Sequence, residues 1–216
     1  MTWVASDPVN LQAVGWAIEA NCGHEVALLA GADWSGQANG RSRFATEFLR
    51  RKQRAERAGI SLTTLAVGGE NPREHFELLV RQGITAIRAD RSAEPNGRRH
   101  RAPSPGIGTL RYGLWQLSAD VRLSGGGWLS ECIAARRICR TIDRRIAAGI
   151  AGHLAIDAPA LAARSNGKLS ALKTVLRHIE RRQREGTLQV GTIAATVARL
   201  APARTSRSAQ SILRAA

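Results

Sequence analysis

The sequence predicts an α/β fold in which short parallel strands alternate with amphipathic helices, and three observations point that way. Short apolar stretches recur along the chain, each too brief for a helix. Longer segments between them carry apolar residues three or four apart with arginine on the remaining positions. Glycine closes nearly every such segment, where a left-handed residue ends a helix.

The elements follow in order. Met1–Ala5 reads as a strand stub. Asp7 or Asn10 can cap a helix through Leu11, Val14 and Ile18, running to Asn21 before Gly23. Val26–Ala30 is the next strand. Arg41–Ala58 reads as a helix with Phe44, Phe48 and Leu49 inward, closed by Gly59. Leu62–Val67 is a strand ending at Gly68-Gly69. Pro72 suits the first turn of a helix that reaches Gln82 and stops at Gly83. Ile84–Ala89 is a fourth strand. Three prolines exclude a helix interior or central strand from Asp90 to Gly108, which reads as a loop. Gly125–Gly127 leads into a helix over Trp128–Ala148 that sets Ile133, Ile138, Ile142 and Ile146 against arginine. His153–Ile156 is a strand, Lys168–Glu185 a basic helix, Leu188–Val190 a short strand and Thr192–Leu200 a closing helix. Periodicity alone does not separate an open doubly wound sheet from a barrel. One α/β domain over 1–200 with a frayed basic tail over 201–216 is expected.

The net charge is +15 and almost wholly arginine, because Lys52, Lys168 and Lys173 are the only lysines. Such a field attracts nucleic acid, anionic lipid or acidic glycan. Aromatics make up 4% of the chain, so a base-stacking platform is not evident. No apolar run approaches the roughly 20 residues of a membrane helix. The first residues lack the layout of a signal peptide, and a cytoplasmic location is expected. Cys22, Cys132 and Cys139 show no metal-binding spacing; Cys132 and Cys139, two turns apart, read as small core residues.

Several segments resemble, in order, the polysaccharide deacetylase family (the NodB homology domain). Thr2-Trp3-Val4 resembles its A-T-F/W-F-V strand. Gly23-His24-Glu25-Val26 resembles the G-H-E-[IV] that opens its metal-binding strand. Gly83-Ile84-Thr85-Ala86-Ile87-Arg88 resembles G-F-x-x-[YF]-R, and His153–Pro159 resembles H-x-W-x-H-P. The stretch from Lys168-Leu169 through Glu185-Gly186 to Val190 resembles the close of the domain. The resemblance implies a distorted (β/α) barrel, here without the family's first strand. It implies a hydrolase of non-peptide C–N bonds, in which a divalent metal such as zinc, held by one aspartate and two histidines, polarises an acetamide. A second aspartate would be general base and a late histidine general acid.

The functional positions depart from that pattern. The family's aspartate pair lies upstream of the segment that Thr2-Trp3-Val4 resembles. Its metal histidine places hold Leu29 and Asp33, its substrate loop keeps only Asn71, and its late histidine place holds Asp157. Leucine cannot ligate a metal, and one carboxylate cannot complete a site. The expectation is therefore a degenerate deacetylase-like protein of carbohydrate metabolism, without metal-dependent activity, with no cofactor, and with a glycan or a polysaccharide-pathway protein as partner. An active N-deacetylase with an incomplete N-terminus and a basic polyanion or nucleic-acid binding module are the alternatives. Asp33 and Asp157 could converge at strand ends, though a turn or capping role is the simpler reading. His24 and His153 read as structural histidines, and His75, His100 and His178 as solvated ones. Gly106-Ile107-Gly108 lacks the context of a phosphate loop. No serine or cysteine has a histidine at recognisable spacing for nucleophilic catalysis.

Overall fold

The computed structural model describes residues 1–6, 23–35, 40–68, 72–89, 106–119, 121–123, 128–157 and 166–201. The expected helix over Asn10–Asn21, Cys22, Asn71, His100, most of the proline-rich loop and the tail beyond 201 lie outside them. The fold is α/β with a mostly parallel sheet. The chain divides into two compact units. One comprises Met1–Ala93, Gly108–Leu117 and Gly191–Ala216; the other comprises Glu94–Ile107 and Ser118–Val190.

The first unit is built on β1 (Thr2–Ala5), β2 (Glu25–Ala30), β3 (Thr64–Val67) and β4 (Ala86–Ala89), each parallel to the next. A four-residue helix α1 (Ala32–Ser35) follows β2, and α2 (Gly40–Arg57) then carries the chain to β3. A 3₁₀ turn (Arg73–His75) and α3 (Phe76–Arg81) lead from β3 to β4. Two further strands, β5 (Ile107–Thr109) and β6 (Trp115–Ser118), complete a six-stranded sheet in the order β1-β2-β3-β4-β6-β5. Residues 193–201 form a closing helix.

Strands β2 and β3 are almost continuously buried, as expected of parallel strands covered on both faces. Phe44, Phe48 and Ala55 recur on one face of α2 and pack with Leu28, Leu65, Val67, Leu79 and Ile87 into the core. The helix ends as the sequence predicts. Gly59 adopts φ +75° and donates to Glu56 O at 2.9 Å, while Ile60 N–H reaches back to Ala55 O at 2.9 Å.

The second unit contains β7 (Val121–Leu123), α4 (Trp128–Ala147), β8 (Leu154–Ile156) and α5 (Asn166–Arg184). β7 and β8 pair in parallel and α4 joins them. α4 packs on α5 through Ala135, Ile138, Ala171 and Val175, flanked by Cys139, Ile142, Leu172 and Ile179.

Several expectations are corrected. Strands β5 to β7 arise where no strand was foreseen, and Leu188–Val190 is not a strand. There the N–H groups of Thr187 and Leu188 fold back onto Arg182 O, which closes α5. Ile133 is exposed rather than inward: it stands five residues before Ile138, which turns it to the opposite face of α4. Cys132 is also exposed, because the apolar seam against α5 begins at Ala135; Cys139 is half-buried beside that seam.

Candidate functional site

In parallel α/β sheets ligands gather at the carboxy ends of the strands, so the end of β2 is the first place to look. Leu29 is the penultimate residue of β2 and is half-buried. Its Cδ1 lies 4.0 Å from where a Cβ at Gly68 would stand, so it packs against the end of β3. Asp33 is exposed in the first turn of α1. Its carboxylate folds back over Gly31, and a Cβ at residue 31 would collide with Oδ1. Asp33 thus serves the turn.

Behind Asp33 the neighbouring side chains are engaged in packing. Trp34 is buried against Phe44 at a ring separation of 5.4 Å, and the Arg51 guanidinium lies 5.2 Å from the Trp34 centroid. Arg51 also donates to Ser6 O at 2.6 Å, tying α2 to the carboxy end of β1. His75, expected to be solvated, is half-buried and stacks on Phe44 at 4.2 Å. This arrangement is an aromatic brace rather than an acid–base constellation. Leu29 offers no lone pair and Asp33 one carboxylate. Among the described residues no group of three His, Cys, Asp or Glu side chains gathers, and the donors present do not fit the metal that the resemblance implies.

Among the described residues of this unit the most connected polar constellation sits at the opposite, amino-terminal ends of the strands, and sequence reasoning missed it. Glu25 is buried at the start of β2, in register with Thr2 of β1. Oε2 accepts from Thr2 Oγ1 at 2.8 Å and from Ala194 N–H at 3.0 Å. Oε1 accepts from Thr64 Oγ1 and, at 3.3 Å, from Thr63 Oγ1. Ile193 N–H donates to Thr2 Oγ1 at 2.9 Å. One carboxylate therefore joins three strands to the amino terminus of the helix 193–201, where negative charge is favoured. A glutamate opening an otherwise apolar strand, with threonines at two other strand starts, was the available signal. Nearby, Trp3 and His24 meet edge-to-face at 6.1 Å; Trp3 Nε1 and His24 Nδ1 are buried without a hydrogen-bond partner among the described residues.

In the second unit Asp157 is exposed just beyond β8, and His153 is half-buried just before it. The ordered polar group here is Asp143 on α4. It receives His178 Nε2 at 2.9 Å and Arg182 Nη2 at 2.7 Å from α5. His178, expected to be solvated, keeps only 10% of its side-chain surface. Arg181 Nη2 approaches its Nδ1 at 3.1 Å, so Nδ1 is the acceptor and Nε2–H donates to Asp143. Partial burial pushes the Asp143 carboxyl up, but the hydrogen bonds from Arg182 and His178 outweigh it and hold the carboxyl below its ordinary value. Burial, and then the Asp143 charge, push the Cys139 thiol up, which is the wrong direction for a nucleophile.

Comparison with protein-family models, curated proteins and solved structures finds no match.

Proposed function

We propose that this chain is a degenerate domain of the polysaccharide deacetylase type, acting in carbohydrate metabolism as a binding module rather than as a metal-dependent hydrolase. The observation that carries the reading is the end of β2, where Leu29 packs against β3 and Asp33 closes a turn. These are the two places at which the resemblance would put metal-binding histidines.

Strand order supports the barrel-type architecture over the doubly wound one. β1 to β4 follow one another without the reversal that a doubly wound sheet makes at β1; beyond β4 the order turns to β6-β5, the sheet stays open, and β7 and β8 pair in a separate sheet. The family-like segments also fall at matching elements: Gly23-His24-Glu25 opens β2, Gly83 to Arg88 leads into β4, and His153 precedes β8.

Zinc titration by calorimetry tests the reading, together with release of acetate from N-acetylated glucosamine oligomers. The expected outcome is no stoichiometric zinc binding and no acetate above the uncatalysed rate. One tight zinc site per chain, or catalytic deacetylation, overturns it.

A further inference from the structure

Both helices of the second unit are rich in arginine, and only part of that charge is paired. On α5 three of the arginines are paired: Arg184 with Glu180 at 2.8 Å, Arg182 with Glu185 at 2.9 Å and with Asp143, and Arg181 with Glu185 at 3.7 Å, while Lys173 and Arg177 are exposed. On α4 the residues Arg136, Arg137, Arg140 and Arg144 are all exposed. Among the described residues none of the four forms an ion pair with a carboxylate.

The four arginines lie within about 100° of arc on the helical wheel, at 100° per residue, opposite the seam formed by Ala135 and Ile138. Arg136, Arg140 and Arg144 form a row with one guanidinium about every 6 Å along the axis. Like charges four residues apart disfavour a helix, so the row opposes the stability of α4. Exposed Ile133 stands on the same face. The face has no aromatic ring for base stacking and no asparagine or glutamine to read a base edge. Guanidinium forks match carboxylates and phosphates alike, two bonds at a time, and the carbohydrate reading above selects the carboxylate.

We propose that this outer face of α4 is a docking surface for an acidic polysaccharide, bound through carboxylates repeated along the polymer. The choice of polymer rests on the carbohydrate reading above; the surface itself rests on the uncompensated arginine row.

The test measures binding of the full chain to polygalacturonate, with dextran as neutral control and a short DNA duplex as competitor. The unaltered chain binds polygalacturonate and not dextran, and binding weakens as salt rises. The triple substitution Arg136→Gln, Arg140→Gln, Arg144→Gln weakens binding by about tenfold or more, while its urea midpoint is unchanged or higher. A control triple, Arg50→Gln, Arg81→Gln and Arg184→Gln, removes the same formal charge from arginines already paired with Glu47, Glu77 and Glu180, and shifts binding by less than about twofold. The lysine triple at positions 136, 140 and 144 keeps the charge, guards against misfolding of the glutamine variant, and retains salt-sensitive binding at reduced affinity. Equal losses in the two glutamine triples, undiminished binding by the Arg136/Arg140/Arg144 variant, or preference for the DNA duplex overturns the proposal. Zinc uptake by the unaltered chain would instead overturn the functional reading and leave these binding results standing.

Discussion

Removing the Glu25 side chain is expected to loosen the helix 193–201 before it disturbs the rest of the first unit. Glu25 accepts from three threonine hydroxyls and from Ala194 N–H. Glu25→Ala leaves that amide without its acceptor at a half-buried position. The hydroxyls can rotate toward other acceptors; Ala194 N–H cannot. One lost charge-assisted bond costs about 1.5–3 kcal/mol, and the cavity and disturbed hydroxyls raise the total to about 3–5 kcal/mol. Glu25→Gln behaves differently. Its carbonyl can face Thr2 and Ala194 while its amide faces Thr63 and Thr64, whose hydroxyls turn to accept. What is lost is the negative charge at a helix amino terminus, about 1–2 kcal/mol. Urea unfolding followed by circular dichroism gives the two totals. Hydrogen exchange gives the location: amides of 193–201 should lose protection in Glu25→Ala well before those of α2. A Glu25→Ala cost below about 0.5 kcal/mol, or equal loss of protection in both helices, would refute the reasoning.

The remaining tests each isolate one contact. Gly31→Ala places a Cβ against the Asp33 carboxylate and should cost about 1–2 kcal/mol, most of it recovered in the double variant with Asp33→Ala; a thermal-melt cycle reads the coupling. Phe48→Ala empties a fully buried position and should cost about 3–5 kcal/mol by urea titration. Asp143→Asn removes the charge shared by His178 and Arg182 and should cost the second unit about 1–2 kcal/mol, discounted for its partial exposure. Because the folded Asp143 carboxyl is held below its ordinary value, its contribution is present above about pH 4 and fades as pH falls through the lowered folded value. The Asp143→Asn cost should therefore shrink on acidification, and a cost that grew instead would contradict the assignment. Trp3→Phe deletes a buried indole N–H without a partner and should be neutral or slightly stabilising.

Much of the fold was legible because it is written locally. Gly59, Gly83, Gly149 and Gly186 each take positive φ at a helix end, and the helices they close lie where apolar residues recur at helical spacing. Strands β2 to β4 are apolar runs bounded by turn residues, so they too declared themselves. β5 and β6 did not. They are short, half-exposed and joined by a turn in which Tyr112 adopts φ 59°, and Gly113, at φ +77°, is the single residue type there that marks a bend. The polar contacts were least legible. Glu25 meets Ala194 across 169 positions and His178 meets Asp143 across 35, so neither partner is visible from local spacing. His178 and His75 read as solvated when each is placed on its own helix alone; packing against another element decided otherwise.

The two ends of the first unit's parallel strands have been put to different uses, and this bears on function. At the amino ends a buried carboxylate, threonine hydroxyls and a helix terminus satisfy one another, an arrangement whose yield is stability. At the carboxy end of β2 the side chains are apolar, stacked or folded onto their own turn. Catalysis asks the reverse of that end: donors held apart from one another and aimed at open space, a configuration that costs folding energy. Asp33 turned onto Gly31, and Arg51 lying over Trp34 and bonded to Ser6, contribute local order instead. Introducing one donor, as in Leu29→His, should therefore bring neither tight zinc binding nor hydrolysis. A calorimetric zinc isotherm of that variant with one tight site would show that the scaffold holds an open ligand geometry, and the binding-module reading would fall with it.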